Sequence, residues 1–215
     1  EMTSSLVGSE MCIRDRLGAV VNINPTQGNS TVVHTPGGKS AELKSQFKVK
    51  FAAASLYTGS FGSLVGMNGA KIKFGRSFAS RPFALHGFFQ YAPVAVTHIG
   101  DNQPAGTLSK GDMDVCSIYI ALAKESYTVD NTKAETFIQF KTDNNIIAYG
   151  ELPLKECVST NGTWKEFTID LEYKTLEKPN DMYLIVVASA SKYGDYFTGG
   201  DGSILYVDDF ELIYD

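Results

Sequence analysis

The chain has 215 residues, 43% of them hydrophobic and 20% charged, a balance that excludes intrinsic disorder. Its formal net charge is −5, and acids and bases are interspersed with no Lys/Arg stripe, so nucleic acid is not an expected partner. No apolar run approaches the roughly 20 residues that a membrane-crossing helix needs.

The segment Ser5–Arg16, SLVGSEMCIRDR, resembles library-adapter DNA read as coding sequence. Residues 1–16 are therefore expected to be non-native, with Cys12 an accident of that origin. From Leu17 to Thr35, Asn, Thr, Gly and Pro surround the short apolar patch Ala19-Val20-Val21, which reads as loop. Residues 17–34 are expected to be a linker or the tail of an upstream domain, and residues 35–215 one domain. After Pro36-Gly37-Gly38 the character changes to short segments rich in β-branched and aromatic residues. The expected strands are Ser40–Ser45, Lys48–Ala53, Leu85–Tyr91, Val115–Ala123, Glu135–Lys141, Trp164–Tyr173, Tyr183–Ser189 and Ile204–Tyr214. With no 3.6-residue pattern between them, these argue a sandwich or barrel.

In Phe167-Thr168-Ile169-Asp170-Leu171 the apolar residues take alternate places and so share one face, and Asn161-Gly162 before them reads as a tight turn. Val115–Ala123 and Tyr183–Ala188 are apolar on both faces and are expected to be central, covered strands. In the last segment Leu205 and Val207 share a face with Phe210, Leu212 and Tyr214 only after a one-residue slip. That slip predicts a β-bulge or bend at Asp208-Asp209. Cys116 and Cys157 lie in apolar text without metal-ligand spacing and are expected to be buried free thiols.

Chemistry-bearing motifs are few. Gly38-Lys39-Ser40 lacks the upstream glycine of a phosphate loop, since Val33 stands there. His34, His86 and His98 are scattered, and no nucleophile-elbow sequence accompanies them. The segment from Ser191 to Gly202 concentrates three aromatics, two acids and four glycines between two strong strands. A sugar presents an apolar C–H face and a rim of hydroxyls, so its binder needs an aromatic plate beside polar side chains. Tyr193, Asp195 and Tyr196 answer that need, the alternative being that these aromatics cap the end of the sandwich. Tyr57 and Arg81 are candidates for the same groove, although Arg81 also fits a surface or salt-bridge role. Asp208 and Asp209 are candidate calcium ligands, or else a solvated pair on an edge strand. Trp164 fits the core or its rim. An enzymatic alternative, glycoside hydrolysis, would draw its two carboxylates from Asp112, Asp114 and Asp195. A third reading is a structural or adhesion domain with a protein partner.

The run Ala53-Ala54-Ser55-Leu56-Tyr57-Thr58-Gly59-Ser60-Phe61 is followed by Phe74-Gly75-Arg76-Ser77-Phe78, Arg81-Pro82, Gly87-Phe88-Phe89 and Tyr91-Ala92-Pro93. Ile147-Ala148-Tyr149-Gly150, the stretch from Ser189 to Phe197, and Leu205-Tyr206-Val207-Asp208-Asp209-Phe210 complete the series. In this order the segments resemble the putative carbohydrate metabolism domain (PCMD) family of Bacteroidetes surface proteins, from about Thr35 to Asp215. The resemblance implies an all-β, antiparallel, two-sheet jelly-roll sandwich related in shape to carbohydrate-binding modules. It further implies a glycan partner, an extracellular or outer-membrane-surface location by export or lipid anchoring, and an upstream immunoglobulin-like domain.

Overall fold

The computed structural model describes residues 12–14, 20–22, 26–66, 68–175, 179 and 181–214. Its first strands are β1 (Cys12–Arg14), β2 (Val20–Asn22), β3 (Thr26–Asn29), β4 (Ser40–Lys44), β5 (Gln46–Phe47) and β6 (Phe51–Ala52). Then come β7 (Ser55–Tyr57), β8 (Gly59–Val65), β9 (Gly69–Phe74), β10 (Arg76–Phe78), β11 (Ala84–Ala92) and β12 (Ser117–Ala123). The remainder are β13 (Tyr127–Asp130), β14 (Ile146–Glu151), β15 (Lys165–Asp170), β16 (Glu172–Tyr173), β17 (Met182–Ser189) and β18 (Ile204–Ile213). Among the described residues all strand pairs are antiparallel, and no helix is long and apolar enough to cross a membrane.

Two sheets form an all-β sandwich. One has the order β15-β11-β18-β4-β3; the other has β10-β17-β12-β14-β16, with β7 also paired to β17. Period-2 alternation builds the space between them. Along β15, Phe167 and Ile169 are buried while Glu166, Thr168 and Asp170 are exposed. These two meet Leu85 and Phe89 of β11 and Leu205 and Val207 of β18 in one core with Ile118, Ile120 and Leu122 of β12. Each such side chain contributes about 1.5–3 kcal/mol when fully buried.

Strand β12 is also apolar on its other face, as its sequence predicts. Ala121 and Ala123 turn away from the sandwich into a second core with Ile185, Val187, Ile146 and Val129. A three-stranded sheet, β13-β9-β8, and the chain around Phe137, Ile138 and Phe140 cover that face. The six-stranded sheet is thus packed above and below, which is why β12 and β17 carry almost no polar residues.

The expected slip in the last strand is present. His86 pairs with Glu211 and Phe88 with Asp208, so β18 holds one extra residue there, and Asp209 takes the left-handed conformation at φ 52°. Gly87 lies opposite the bulge. A Cβ at that position would stand 2.6 Å from the Phe210 ring and 3.1 Å from the Phe167 ring, so the absence of a side chain lets those rings pack edge to face.

Of the expected strand Lys48–Ala53 only β6 forms, and β7, β8, β9, β10, β13 and β14 are not among the expected strands. Three further segments also differ from their sequence reading. Glu135–Lys141 forms no strand; a 3₁₀ turn spans Ala134–Thr136, where Thr136 Oγ1 donates to the Asp130 and Lys133 carbonyls. Such local bonds satisfy the backbone without a ladder. Trp164–Tyr173 breaks at Leu171, and the chain passes from β15 in one sheet to β16 in the other. The stretch read as loop, 17–34, contains β2, paired to β1, and β3, which closes the edge of the five-stranded sheet beside β4. Strand β3 is held through polar side chains: Gln27 Nε2 and Asn29 Nδ2 donate to the Glu42 carboxylate at 2.9 and 2.6 Å. Of residues 1–16, read as adapter-derived, only β1 lies within the described residues.

Cys116 and Cys157 are free and fully buried. Contact with the Cys157 thiol, together with burial, pushes the Cys116 thiol well up. Because both sulfurs are fully buried, out of reach of the reagent, both cysteines are expected to stay unmodified when the native protein is treated with iodoacetamide and to react fully in denaturant. Peptide mass mapping checks this, and native-state labelling of either would contradict the packing.

Candidate functional site

The loop joining β17 to β18 is fixed at both ends by one buried carboxylate. Asp114, just before β12, is 1% exposed. Its Oδ2 accepts from Ser191 Oγ at 2.6 Å, Ser203 Oγ at 2.8 Å and the Gly200 amide at 2.8 Å, while Oδ1 accepts from the Val115 amide at 2.9 Å. Burial pushes this carboxyl up, and the Ser191, Gly200 and Ser203 donors offset part of that rise. Within the loop a 3₁₀ turn spans Gly194–Tyr196, and Phe197 closes it in the left-handed conformation. A second segment, 97–101, is tied alongside: His98 and Gly199 exchange backbone hydrogen bonds, and the Gly100 amide donates to Thr198 Oγ1 at 2.9 Å.

Against this frame opens a cleft of about 260 Å³, near the small end of ligand-sized cavities. Its apolar wall is Phe137 and Tyr196, packed edge to face with centroids 5.0 Å apart. Lys50, on the connection between β5 and β6, reaches over the Phe197 ring with its ammonium 4.5 Å from the centroid. Asn68, Asp101, Asn102 and Asn131 supply the polar side, and Asn131 is oriented by accepting the Ala70 amide on Oδ1 at 2.8 Å.

Asp195 completes the lining. Its residue is open to solvent at the cleft mouth, and its carboxylate accepts no hydrogen bond from the described residues. Protein crowded around the cleft pushes its pKa up, toward about 6, an effect that water at this exposed carboxylate screens in part. A donor-less carboxylate beside an aromatic wall has hydrogen-bonding capacity that only water or a ligand can use.

Of the residues singled out from sequence, Asp195 and Tyr196 therefore come together in the cleft. Tyr193 precedes the same turn but does not line it. Two candidates are corrected. Tyr57 is 3% exposed, edge-on to Phe74 in the second core, where no glycan reaches it. Arg81 lies over the Tyr173 ring at 4.2 Å, donates to the Thr175 carbonyl at 2.7 Å, and is away from the cleft lining.

The carboxylates considered for hydrolysis also separate. Asp112 accepts the Ser109 amide at 2.7 Å within a turn, Asp114 is the buried anchor, and Asp195 alone of the three lines the cleft. Asp208 and Asp209 form a clasp: Asp208 Oδ2 accepts the His34 amide at 2.9 Å, and Asp209 Oδ2 meets His34 Nδ1 at 2.7 Å and Thr35 Oγ1 at 2.6 Å. Asp208 and Asp209 thus hold the 30–35 loop against β18. Among the described residues no group of three or more His, Cys, Asp or Glu is placed to hold a metal ion. Trp164 is half-buried, edge-on to His34. Sequence reading missed Lys50, Asn68, Asp101, Asn131 and Phe137; they stand in four separate segments, the last two residues sharing one, with no shared motif.

The family model described as putative carbohydrate metabolism domain, PCMD, matches residues 7–213. The chain belongs to this family. Two crystal structures share the PCMD fold seen here, both described as putative glycoside hydrolases. The one from Bacteroides thetaiotaomicron superposes with a TM-score of 0.70 at 23% identity, covering 92% of this chain. This PCMD chain spans 59% of that protein's length. The one from Bacteroides vulgatus gives a TM-score of 0.64 at 23% identity, covering 88% of this chain and 77% of that one. At these identities the likeness is one of fold. No curated protein sequence matches the chain.

Proposed function

We propose that this PCMD domain is a glycan-binding module whose site is the cleft at Asp195 and Tyr196. The observation that carries the reading is the Asp195 carboxylate, which accepts no hydrogen bond from the described residues, beside the Phe137–Tyr196 wall. The C–H face of a sugar ring packs on Tyr196, while Asp101, Asp195 and the three asparagines meet its hydroxyls. The family resemblance supports the reading and extends it to an outer-surface location in a longer, multi-domain protein. A glycan array identifies binders, and calorimetry with the best of them gives the decisive numbers. Tyr196→Ala is expected to weaken binding about 30-fold, the effect of losing a central aromatic anchor. Affinity is expected to rise with pH through about 6, as Asp195 ionises and accepts charge-assisted bonds from hydroxyls. Asp195→Asn is expected to flatten that profile. Unchanged affinity in Tyr196→Ala would remove the site from this cleft.

A second reading, glycoside hydrolysis, is favoured by one observation. Asp195 shares the cleft with Asp101, and a carboxyl pushed up to about 6 suits the general acid of such a pair. Release of reducing sugar from a bound glycan, lost in Asp195→Asn, would establish it; binding without turnover would leave the module reading.

A further inference from the structure

Phe47 is 43% exposed, yet one face of its ring is stacked against the protein. It stacks on the His98 imidazole with centroids 4.2 Å apart and planes 8° from parallel. His98 in turn stacks on Phe51 at 5.9 Å, and Phe51 is 3% exposed. The three rings form a column rooted in the interior with Phe47 at its outer end. The backbone beneath is pinned from both sides: the Phe47 amide donates to Asp201 Oδ1 at 3.1 Å, and His98 is bridged to Gly199. His98 Nδ1 is further engaged by Thr97 Oγ1 at 2.9 Å.

Isolated exposed aromatics are ordinary; the placement of this one is not. Phe47 is three residues from Lys50, and His98 is three residues from Asp101, both of which line the cleft. Three residues span at most about 11 Å of chain, so the plate adjoins the cleft along two segments at once. Exposed Val49 and Ile99 lie on the same two segments, and charged Lys48, Asp101 and Asp201 border them. A rigid ring with an open surface and a polar border, continuous with a sugar-sized cleft, has the make-up of a stacking plate for another ring of the same ligand.

We infer that the Phe47–His98 stack is a second sugar subsite, so that the domain recognises a glycan chain of several units rather than one terminal sugar. This rests on the glycan-binding reading of the cleft. The test is calorimetry of the full chain with xylo-, cello-, malto-, manno- and galacto-oligosaccharides of one to six units. For the series that binds, affinity is expected to rise about 10-fold between the shortest binder and the longest. Phe47→Ala is expected to abolish that rise and Phe47→Trp to retain it, which separates loss of the plate from loss of the fold. Tyr196→Ala is expected to weaken every length. An affinity independent of length in the parent protein, or a rise that persists in Phe47→Ala, overturns the second subsite while leaving the cleft reading in place. Full binding in Tyr196→Ala, or no binding by any series, overturns the cleft reading and the subsite with it.

Discussion

Asp114→Ala is expected to lower the melting temperature by about 10 °C and to abolish ligand binding at the cleft. The carboxylate is the shared acceptor for Ser191, Gly200 and Ser203, which bracket the whole β17–β18 loop, and for the Val115 amide. Alanine would leave two hydroxyls and two backbone amides without that acceptor. Disrupting such a buried network costs about 4 kcal/mol, and each kcal/mol moves the melting point of a chain this size by roughly 2–4 °C. The loop would also lose its anchor, and Asp195, Tyr196 and Phe197 would lose their positions. Thermal unfolding and calorimetry check the two effects together.

The same residue imposes a pH dependence on stability. Burial raises the folded-state pKa of Asp114, so the native state keeps a proton that the unfolded chain has released. This contribution is complete below the ordinary carboxylate range and is lost as pH rises through the raised value. Asp114→Asn removes it, so the stability advantage of the parent protein over this variant is expected to shrink as pH climbs above 4. Denaturant melts between pH 4 and 7 measure the slope; an advantage that grows with pH would contradict the assignment.

Periodicity made the sandwich legible because a sheet with one wet face writes its geometry into alternate residues, as Phe167 and Ile169 do. The two-faced apolar runs of β12 and β17 marked the central strands, and the slip at Asp208-Asp209 marked the bulge. Strand β3 escaped notice because its pairing rests on Gln27, Asn29 and Glu42, which leave no hydrophobic signature. Glu135–Lys141 misled for the opposite reason: Phe137, Ile138 and Phe140 are apolar because they cover a sheet face, without belonging to a ladder. The cleft was half legible. A glycine- and aromatic-rich loop between strong strands pointed to Asp195 and Tyr196, but their partners come from four distant segments that only the fold brings together. Residue type alone could not separate Tyr57 from Tyr196, or Asp114 from Asp195. Each pair differs in burial and in hydrogen-bond donors, which are properties of the packed chain.

Gly100→Ala is expected to weaken glycan binding at least 10-fold and to destabilise the domain by about 3 kcal/mol. A Cβ at Gly100 would lie 1.6 Å from the Tyr196 carbonyl oxygen, 2.8 Å from its carbon and 3.3 Å from Phe197 Cβ. Two of these atoms are backbone, so no side-chain rotation relieves the contact. Either the 97–101 segment or the Gly194–Tyr196 turn must move, and the Gly100 amide bond to Thr198 Oγ1 breaks with that motion. Because the displaced carbonyl belongs to Tyr196, the aromatic wall of the cleft moves too. Gly28→Ala is the matched control: a Cβ there meets only the Lys39 side chain at 3.9 Å, and the loss of unfolded-chain freedom leaves stability equal or slightly higher. Circular dichroism melts and calorimetry on both variants separate the outcomes. Destabilisation with full binding in Gly100→Ala would show that the ligand does not use the Tyr196 wall. Full stability would show that the two segments part without cost, contrary to the hydrogen bonds that join them at Thr198 and Gly199.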